Sequence, residues 1–469
     1  MNRFKKLCCV LGTVFLLQGS VLLSAANGQE SKIVKKYLAI TESIRKEGLL
    51  HGRAFAMLKE LTTQAPSRLG GSSGAAAAVE LTRQMMQDMG FDNVHLESII
   101  VQRWVRGVEE AAIVNSAAVG SVPLSVCALG NSIGTPEMGI TAPVVEVDSF
   151  DELHKIGAGA KGEIIFFNRP MDPTEMNTFR AYGGAVDQRT QGAAEGAKVG
   201  AVAVLVRSVT TSLDDYPHTG MMRYNPGVKK IPAAAISTID ANFLSDLLKQ
   251  EPDVQLHLKL GCKNLSPVPS ANVAGQITGT EKPEEIILMG GHLDAWELGT
   301  GAHDDGAGCV HALEAVRLIK KLGLKPKRTI RAVMFMNEEF GSSGGREYAV
   351  AKERKGEKHV AAIESDRGGF LPIGFGVGGG EKTLRKVQSW FKLFEPLEMY
   401  WLRKGGGGGD IAPLAKQGTV MLGLVPDDQR YFNVHHSAND ILHAVNDREL
   451  ELGAIAMAIM AYMLSEEGI

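Results

Sequence analysis

The apolar positions of this chain change period several times, and each change marks an element. Residues 29–60 carry Ile33, Tyr37, Leu38, Ile40 and Ile44 at helical spacing, which predicts a helix. Pro66 to Gly74 interrupts as a loop, and Ala75 to Met89 resumes as a helix stopped by Gly90. VHLESIIVQRWVRG then alternates as a half-buried strand does. From about Gly130 to Lys259 the texture shifts to short apolar β-type runs: GEIIFFNRP, AVAVLVRSV, IPAAAIS and VQLHLKL, with a short helix at Gly192 to Val199. From Asn272 onward strands alternate with helices. Ile286 to Met289, Thr329 to Met336, Val360 to Glu364 and Val420 to Val425 read as strands; Ala307 to Leu322 and Leu450 to Leu464 read as helices.

That order predicts an α/β fold: a mixed, mostly parallel sheet sandwiched by helices. A β-rich module is expected to be inserted in it. The expected division is 1–28 as a signal peptide, 29–129 as the first part of the host, 130–262 as the insert and 263–469 as the rest of the host. An inserted module leaves and re-enters its host at neighbouring points. Cys127 and Cys262 flank this one, so they are candidates to pair.

Composition narrows the picture. The chain has 469 residues, more than the ~250–300 that one core organises. Formal net charge is −3 with no basic or acidic block, which excludes nucleic acid and an anionic membrane as main partners. Arg3, Lys5 and Lys6 precede an apolar run from Cys8 to Leu23, and Ser24-Ala25-Ala26 offers small residues for cleavage. The run is short of the ~20 residues of a spanning helix. Export to a periplasm or the cell exterior is therefore expected, without stable membrane insertion. Two of the five cysteines belong to that leader, so the chain holds no disulfide framework and no Cys-type zinc finger.

The chemistry collects just after the strands. His292 and Asp294 follow the first, Glu338 and Glu339 end the second, and Asp366 follows the third. His435, His436 and Asp440 lie in the loop after the fourth. Ligands of open α/β sheets bind beyond the carboxyl ends of the strands. So many acids and imidazoles converging there would repel one another unless a cation sat among them. The mixture suits Zn²⁺, with Mn²⁺ or Co²⁺ as alternatives. Asp294 is placed to fix the tautomer of His292. Asp304 or Asp305 can bridge two metals. Glu338 and Glu339 point to opposite sides of extended backbone, so one can ligate while the other faces the water.

At these residues the sequence resembles the di-zinc exopeptidases of the bacterial leucyl aminopeptidase and carboxypeptidase Q type. The resemblance rests on GGHLDAWELGTGAHDDGAG, FMNEEFGSSG, ESDRGG and HHSANDIL, with APSRLGGSSGA near the start. GAKGEIIFFNRP, PHTGM and GAVAVLV resemble the family's protease-associated domain. The resemblance implies two Zn²⁺ per chain. His292, Asp304 and Asp366 would hold one; Asp304, Glu339 and His436 would hold the other, with Asp304 bridging. Glu338 would be the general acid/base and His435 a bystander. It also implies a cis peptide between Asp304 and Asp305, a homodimer and small-peptide substrates, either dipeptides or the N-terminal residues of peptides.

The reaction expected is peptide hydrolysis by a metal-bridged hydroxide. Gly408 and Asp410, in or beside the glycine run Gly405 to Gly409, and Tyr431 are candidate substrate contacts, with Arg403 a further one. Two rivals stand beside this reading. A two-metal deacylase with a dimerisation lid would need that lid between Asp366 and His436, and 70 residues (436 − 366) leave no room. A metal-free, receptor-like binding protein on the same fold would lose ligands, and none is missing here.

Overall fold

The computed structural model describes residues 16–469. Arg3, Lys5, Lys6, Cys8 and Cys9 of the expected signal peptide lie outside the described residues. Among the described residues no helix is long and apolar enough to cross a membrane.

The described residues build two eight-stranded sheets. In the first, Lys282–His292 lies at the centre, parallel to both Arg328–Phe335 and Lys358–Glu364, and Val420–Pro426 continues in parallel beyond Lys358–Glu364. The margins are antiparallel. Asp92–Val105 pairs with Lys263–Ile277, which pairs with Arg328–Phe335; on the other side Pro372–Val377 pairs with Val420–Pro426. Trp401–Lys404 closes that side in parallel with Pro372–Val377. The sheet is thus mixed, with its parallel part in the middle.

The central strand shows why. Ile286 to Met289 are all buried, as a strand covered on both faces requires. Successive side chains alternate between faces. Ile287 and Met289 enter the core under the helices Ala307–Lys321 and Asp447–Glu467; Ile286 and Leu288 pack on the other face, with Tyr348, Ile411 and Leu414. The helix Asp447–Glu467 is started by Asn446, whose side chain accepts the Glu449 N–H at 3.0 Å.

The structure differs from the sequence expectation in its first helix and in several strands. The helix expected over residues 29–60 is two helices, Leu16–His51 and Ala54–Gln64. They separate at Gly52, where the backbone lies so close to the Glu451 carboxylate that a Cβ would collide with it. The strands Lys263–Ile277, Pro372–Val377 and Trp401–Lys404 were not foreseen.

The second sheet is built from residues 109–260. Its order is Val122–Leu124, Glu109–Asn115, Gln255–Leu260, Ile140–Val147, Ile164–Phe167, Ala203–Arg207, Ala233–Ile236, Val126–Ala128. It therefore takes in residues 109–128, ahead of the boundary at 130 suggested by texture, because Glu109–Asn115 pairs antiparallel with Gln255–Leu260. Cys127 and Cys262 are both buried and unpaired. They serve different apolar clusters around this sheet, Cys127 packing with Leu129 and Val147 and Cys262 with Leu258 and Leu260. The Cys262 thiol donates to the Ser132 carbonyl at 3.3 Å.

Candidate active site

His292 is the last residue of its strand. Its Nδ1 lies 2.9 Å from the backbone carbonyl of Asp294. Donation there fixes the tautomer and turns the Nε2 lone pair inward. The Asp294 carboxylate does not do this work: it stands 3.9 Å from Nδ1. It instead accepts the N–H groups of Asn337 (2.6 Å), Glu338 (3.0 Å) and Glu339 (3.3 Å). Asp294 thus orients His292 through its backbone and the glutamate pair through its side chain.

The segment from Leu293 to Asp305 is held from three sides. Arg68, fully buried, donates to the carbonyls of Leu293 (2.6 Å), Thr300 and Gly301 (2.5 Å). Asp440 accepts the N–H groups of His303 at 2.7 Å and Asp304 at 3.1 Å. Asp305 accepts the N–H groups of His292 at 3.0 Å and Gly308 at 2.9 Å. The Asp304–Asp305 peptide is cis. Asp305 is spent on backbone, which leaves Asp304 free to face the crevice.

Asp304 presents one oxygen to each side. Its Oδ1 lies 3.2 Å from His292 Nε2, which is also 3.6 Å from Asp366 Oδ1. Its Oδ2 lies 3.2 Å from His436 Nε2, which is also 3.1 Å from Glu339 Oε2. Two triads, each an imidazole between two carboxylates, therefore share Asp304. Burial works against a charged imidazole, yet the surrounding carboxylates hold His292 well above its ordinary pKa and push His436 up to about 10. Asp304 Oδ2 and Glu339 Oε1 are buried without a hydrogen-bond donor. Positive charge is what the cluster lacks. Imidazole nitrogens and carboxylate oxygens, closed round two points that share one carboxylate, fit a pair of borderline divalent cations.

Glu338 stands beside the triads without joining them. Its Oε1 accepts the Ser342 hydroxyl at 3.3 Å, and burial pushes its carboxyl up to about 8. Cations at the triads would favour its ionised form. A cavity of ≈ 320 Å³ opens over Glu338, His292, Asp366 and His436, walled by Phe179, Tyr182, Tyr431 and Phe432.

Of the expected substrate contacts, Tyr431 lines this cavity and stacks on Phe179 at 5.4 Å. Asp410 does not: it is 1% exposed, and burial holds its carboxyl well above the ordinary range. The glycine run turns towards Glu364, whose carboxylate accepts the N–H groups of Asp410 (3.4 Å) and Ile411 (3.0 Å), and Gly408 packs directly on it. Arg403 is exposed, with its guanidinium over Trp401. His303 is a packed histidine stacked on Phe370 at 4.2 Å.

Sequence reasoning understated His435 and missed the aromatic wall from the second sheet's segment. The His435 ring stacks on His436 at 3.6 Å, and its Nε2 is 3.7 Å from Asp304 Oδ2. The adjacent histidines were the available signal. For Phe179 and Tyr182 there was none, since contact between segments so far apart in the chain leaves no spacing to read.

Comparison with known proteins settles the lineage. The sequence profile of peptidase family M28 matches residues 272–462, which include all five candidate metal ligands. Carboxypeptidase Q of Bos taurus is 36% identical over 419 residues, 89% of this chain and 86% of that protein. The chain belongs to peptidase family M28. With this donor set, membership makes it a metallo-exopeptidase. Carboxypeptidase Q of Xenopus laevis is 34% identical, covering 92% of this chain and 91% of its own. The crystal structure of a peptidase M28 precursor from Shewanella amazonensis SB2B superposes with a TM-score of 0.88 at 34% identity, covering 92% of this chain and 97% of that one. A zinc aminopeptidase of Bacillus subtilis shares the fold, with a TM-score of 0.63 at 18% identity over 89% of this chain and 96% of that one.

Proposed function

We propose that this chain is a two-zinc exopeptidase that hydrolyses small peptides, with Glu338 as the group that moves the proton. The observation that carries the reading is Asp304, whose two oxygens each complete an imidazole–carboxylate triad. His292, Asp304 and Asp366 would hold one ion; Asp304, Glu339 and His436 would hold the other. When bound, such a pair acidifies water and polarises the scissile carbonyl.

The protein's own residues do the rest. Glu338 takes the proton of the attacking water and delivers it to the leaving amine. The Asp294 carboxylate accepts the backbone N–H of Glu338 and those of its neighbours Asn337 and Glu339, which holds the segment that carries the Glu338 carboxylate. The cavity, ≈ 320 Å³, sits at the small end of the ~300–1,000 Å³ typical of small-molecule sites, which favours a short peptide over a polypeptide. Phe179, Tyr182 and Tyr431 supply an apolar wall that excludes water around the bond being cut.

Glu338→Gln tests this reading. The variant is expected to bind two zinc ions per chain like the parent and to hydrolyse unblocked dipeptides ~10²–10⁴-fold more slowly, the usual contribution of a general base. Metal analysis and single-turnover assays on one preparation read both outcomes. Undiminished turnover would remove Glu338 from the role.

A further inference from the structure

The last ligand, His436, receives its orientation from outside the catalytic sheet. Its backbone is left-handed, φ 61°, a conformation that non-glycine residues adopt only when held there. The holding groups belong to a turn of the second sheet's segment, Pro217-His218-Thr219-Gly220. The Thr219 N–H donates to the His436 carbonyl at 2.9 Å, and the His436 Nδ1 lies 3.3 Å from the Thr219 carbonyl. His218 Nδ1 lies 2.6 Å from the His435 carbonyl, so that its N–H grips the residue before. Gly220 passes so near that a Cβ there would meet His436 Nδ1 at 2.7 Å and the Arg189 guanidinium at 2.5 Å.

The turn is anchored in its own module. The Thr219 hydroxyl donates to the Ala128 carbonyl at 2.8 Å, the Gly130 N–H donates to the Gly220 carbonyl at 3.0 Å, and the His218 N–H donates to Ser208 Oγ at 2.8 Å. Arg189, 7% exposed, adds a donor to the Thr219 carbonyl at 3.3 Å; the same nitrogen stands 3.4 Å from His436 Nδ1, the longer of its two contacts. A carbonyl has two lone pairs and can accept from both Arg189 and His436. Only the tautomer of His436 that donates from Nδ1 leaves Nε2 free to ligate. No partner within the catalytic sheet's own strands does this for His436, whereas His292 takes its acceptor from Asp294, two residues away.

We propose that the His218–Gly220 turn is a positioning device for one half of the metal centre: it sets the tautomer and backbone of His436, so the second sheet's segment governs the affinity of the Asp304–Glu339–His436 site and leaves the other site alone. The proposal rests on the two-metal reading above. His218 and Thr219 are positioning residues, acting through His435 and His436 and never on substrate.

The test uses the full-length protein and zinc alone as probe. An asparagine amide can take the place of His218 Nδ1, whereas a glutamine amide reaches the place of Nε2 and a leucine donates nothing. Zinc binding is titrated against a competing chelator for the parent, His218→Asn, His218→Gln, His218→Leu and Gly220→Ala, and the metal-free melting temperature of each is recorded. The expected result is two sites in every protein. One of them is weakened by the ~10–100-fold of a lost outer-shell partner in His218→Gln, His218→Leu and Gly220→Ala, and restored in His218→Asn. Unchanged binding in His218→Leu and Gly220→Ala would overturn the proposal. So would equal weakening of both sites together with a lowered metal-free melting temperature, the mark of a merely structural role. If one variant fails to fold, the others carry the same decision. A parent that binds fewer than two zinc ions would instead overturn the two-metal reading on which the proposal stands.

Discussion

Two of the polar cavities in the part of the chain that carries the triads make a contrast, and the larger of the two does not cover the triads. One, of ≈ 750 Å³, is lined by His95, Glu97, Arg331, Tyr348, Arg354 and Glu357. The other, of ≈ 320 Å³, covers the triads. In the large cavity acids and bases are matched in number, Glu97, Glu347 and Glu357 facing Arg331, Lys352 and Arg354, although Glu97 Oε2 and Arg354 Nη2 are themselves buried without a partner. Arg331 meets Glu357 through two bonds of 2.7 Å and also donates to Gln276, and Arg354 pairs with Glu97 while stacking on Tyr348 at 3.6 Å. In the small one Asp304, Glu338, Glu339 and Asp366 crowd three imidazoles, Arg189 and Arg223 stand at the wall without pairing to any of these carboxylates, and two carboxylate oxygens have no donor. Folding compensates buried charge wherever it can. A cluster left short of positive charge is therefore the one shaped by something other than stability. Volume says little about function here, and unmet charge says a great deal.

The comparison breaks most visibly at Asp304. Asp304→Asn removes the shared carboxylate from both triads. Loss of both zinc ions and a fall of dipeptide hydrolysis to background are expected, by metal analysis and steady-state assay. Retention of two tightly held ions would show that the small cavity is not organised round that residue.

A smaller effect sharpens the contrast. Cations that bind the folded chain alone stabilise it by mass action, roughly 4 kcal/mol for each site at a thousand times its dissociation constant. Stripping the protein with a chelator should lower its melting temperature, and zinc should restore it. In Asp304→Asn neither treatment should matter. A variant of the large cavity should respond to zinc as the parent does.

How far all this could be read from the chain depends on where each partner sits in sequence. His292, Glu338, Glu339 and Asp366 each lie at or just beyond a strand whose apolar run is unmistakable, so topology alone brings them together. Asp410 was expected at the substrate because an acid after five glycines reads as part of a binding loop, and it does not line the cavity. In the fold Glu364, itself buried, collects the N–H groups of Asp410 and Ile411 and draws the segment inward. Lys263–Ile277 was hidden by Pro267 and Pro269, which disfavour a central strand. They fall in its exposed first half, where it pairs with Asp92–Val105 alone, and the buried second half is the part inserted beside Arg328–Phe335. The PHTG turn carries no ligand spacing at all, since its meaning lies in contacts with residues more than two hundred positions away.

The smallest expected effect on turnover belongs to the large cavity. Arg331→Met leaves Glu357 and Gln276 without their shared donor. Losing one partner of a fully buried pair costs about 3–5 kcal/mol; Glu357 keeps 26% of its side chain in water, so roughly 2–4 is expected here. Urea unfolding at neutral pH measures this, while zinc content and kcat/KM of the folded fraction should stay at parental values. Acid supplies the second reading. Burial alone would raise the Glu357 carboxyl, but Arg331 holds it below its ordinary value of 4.5. A depressed carboxylate contributes stability that is present above the unfolded value and lost as pH falls through the folded one. The gap between parent and variant should accordingly be widest near neutrality and shrink on acidification below that value. A gap that stayed constant through that window would mean the arginine acts by packing, and the charge balance claimed for the large cavity would fail. A large loss of turnover in the folded variant would erase the distinction between the two cavities altogether.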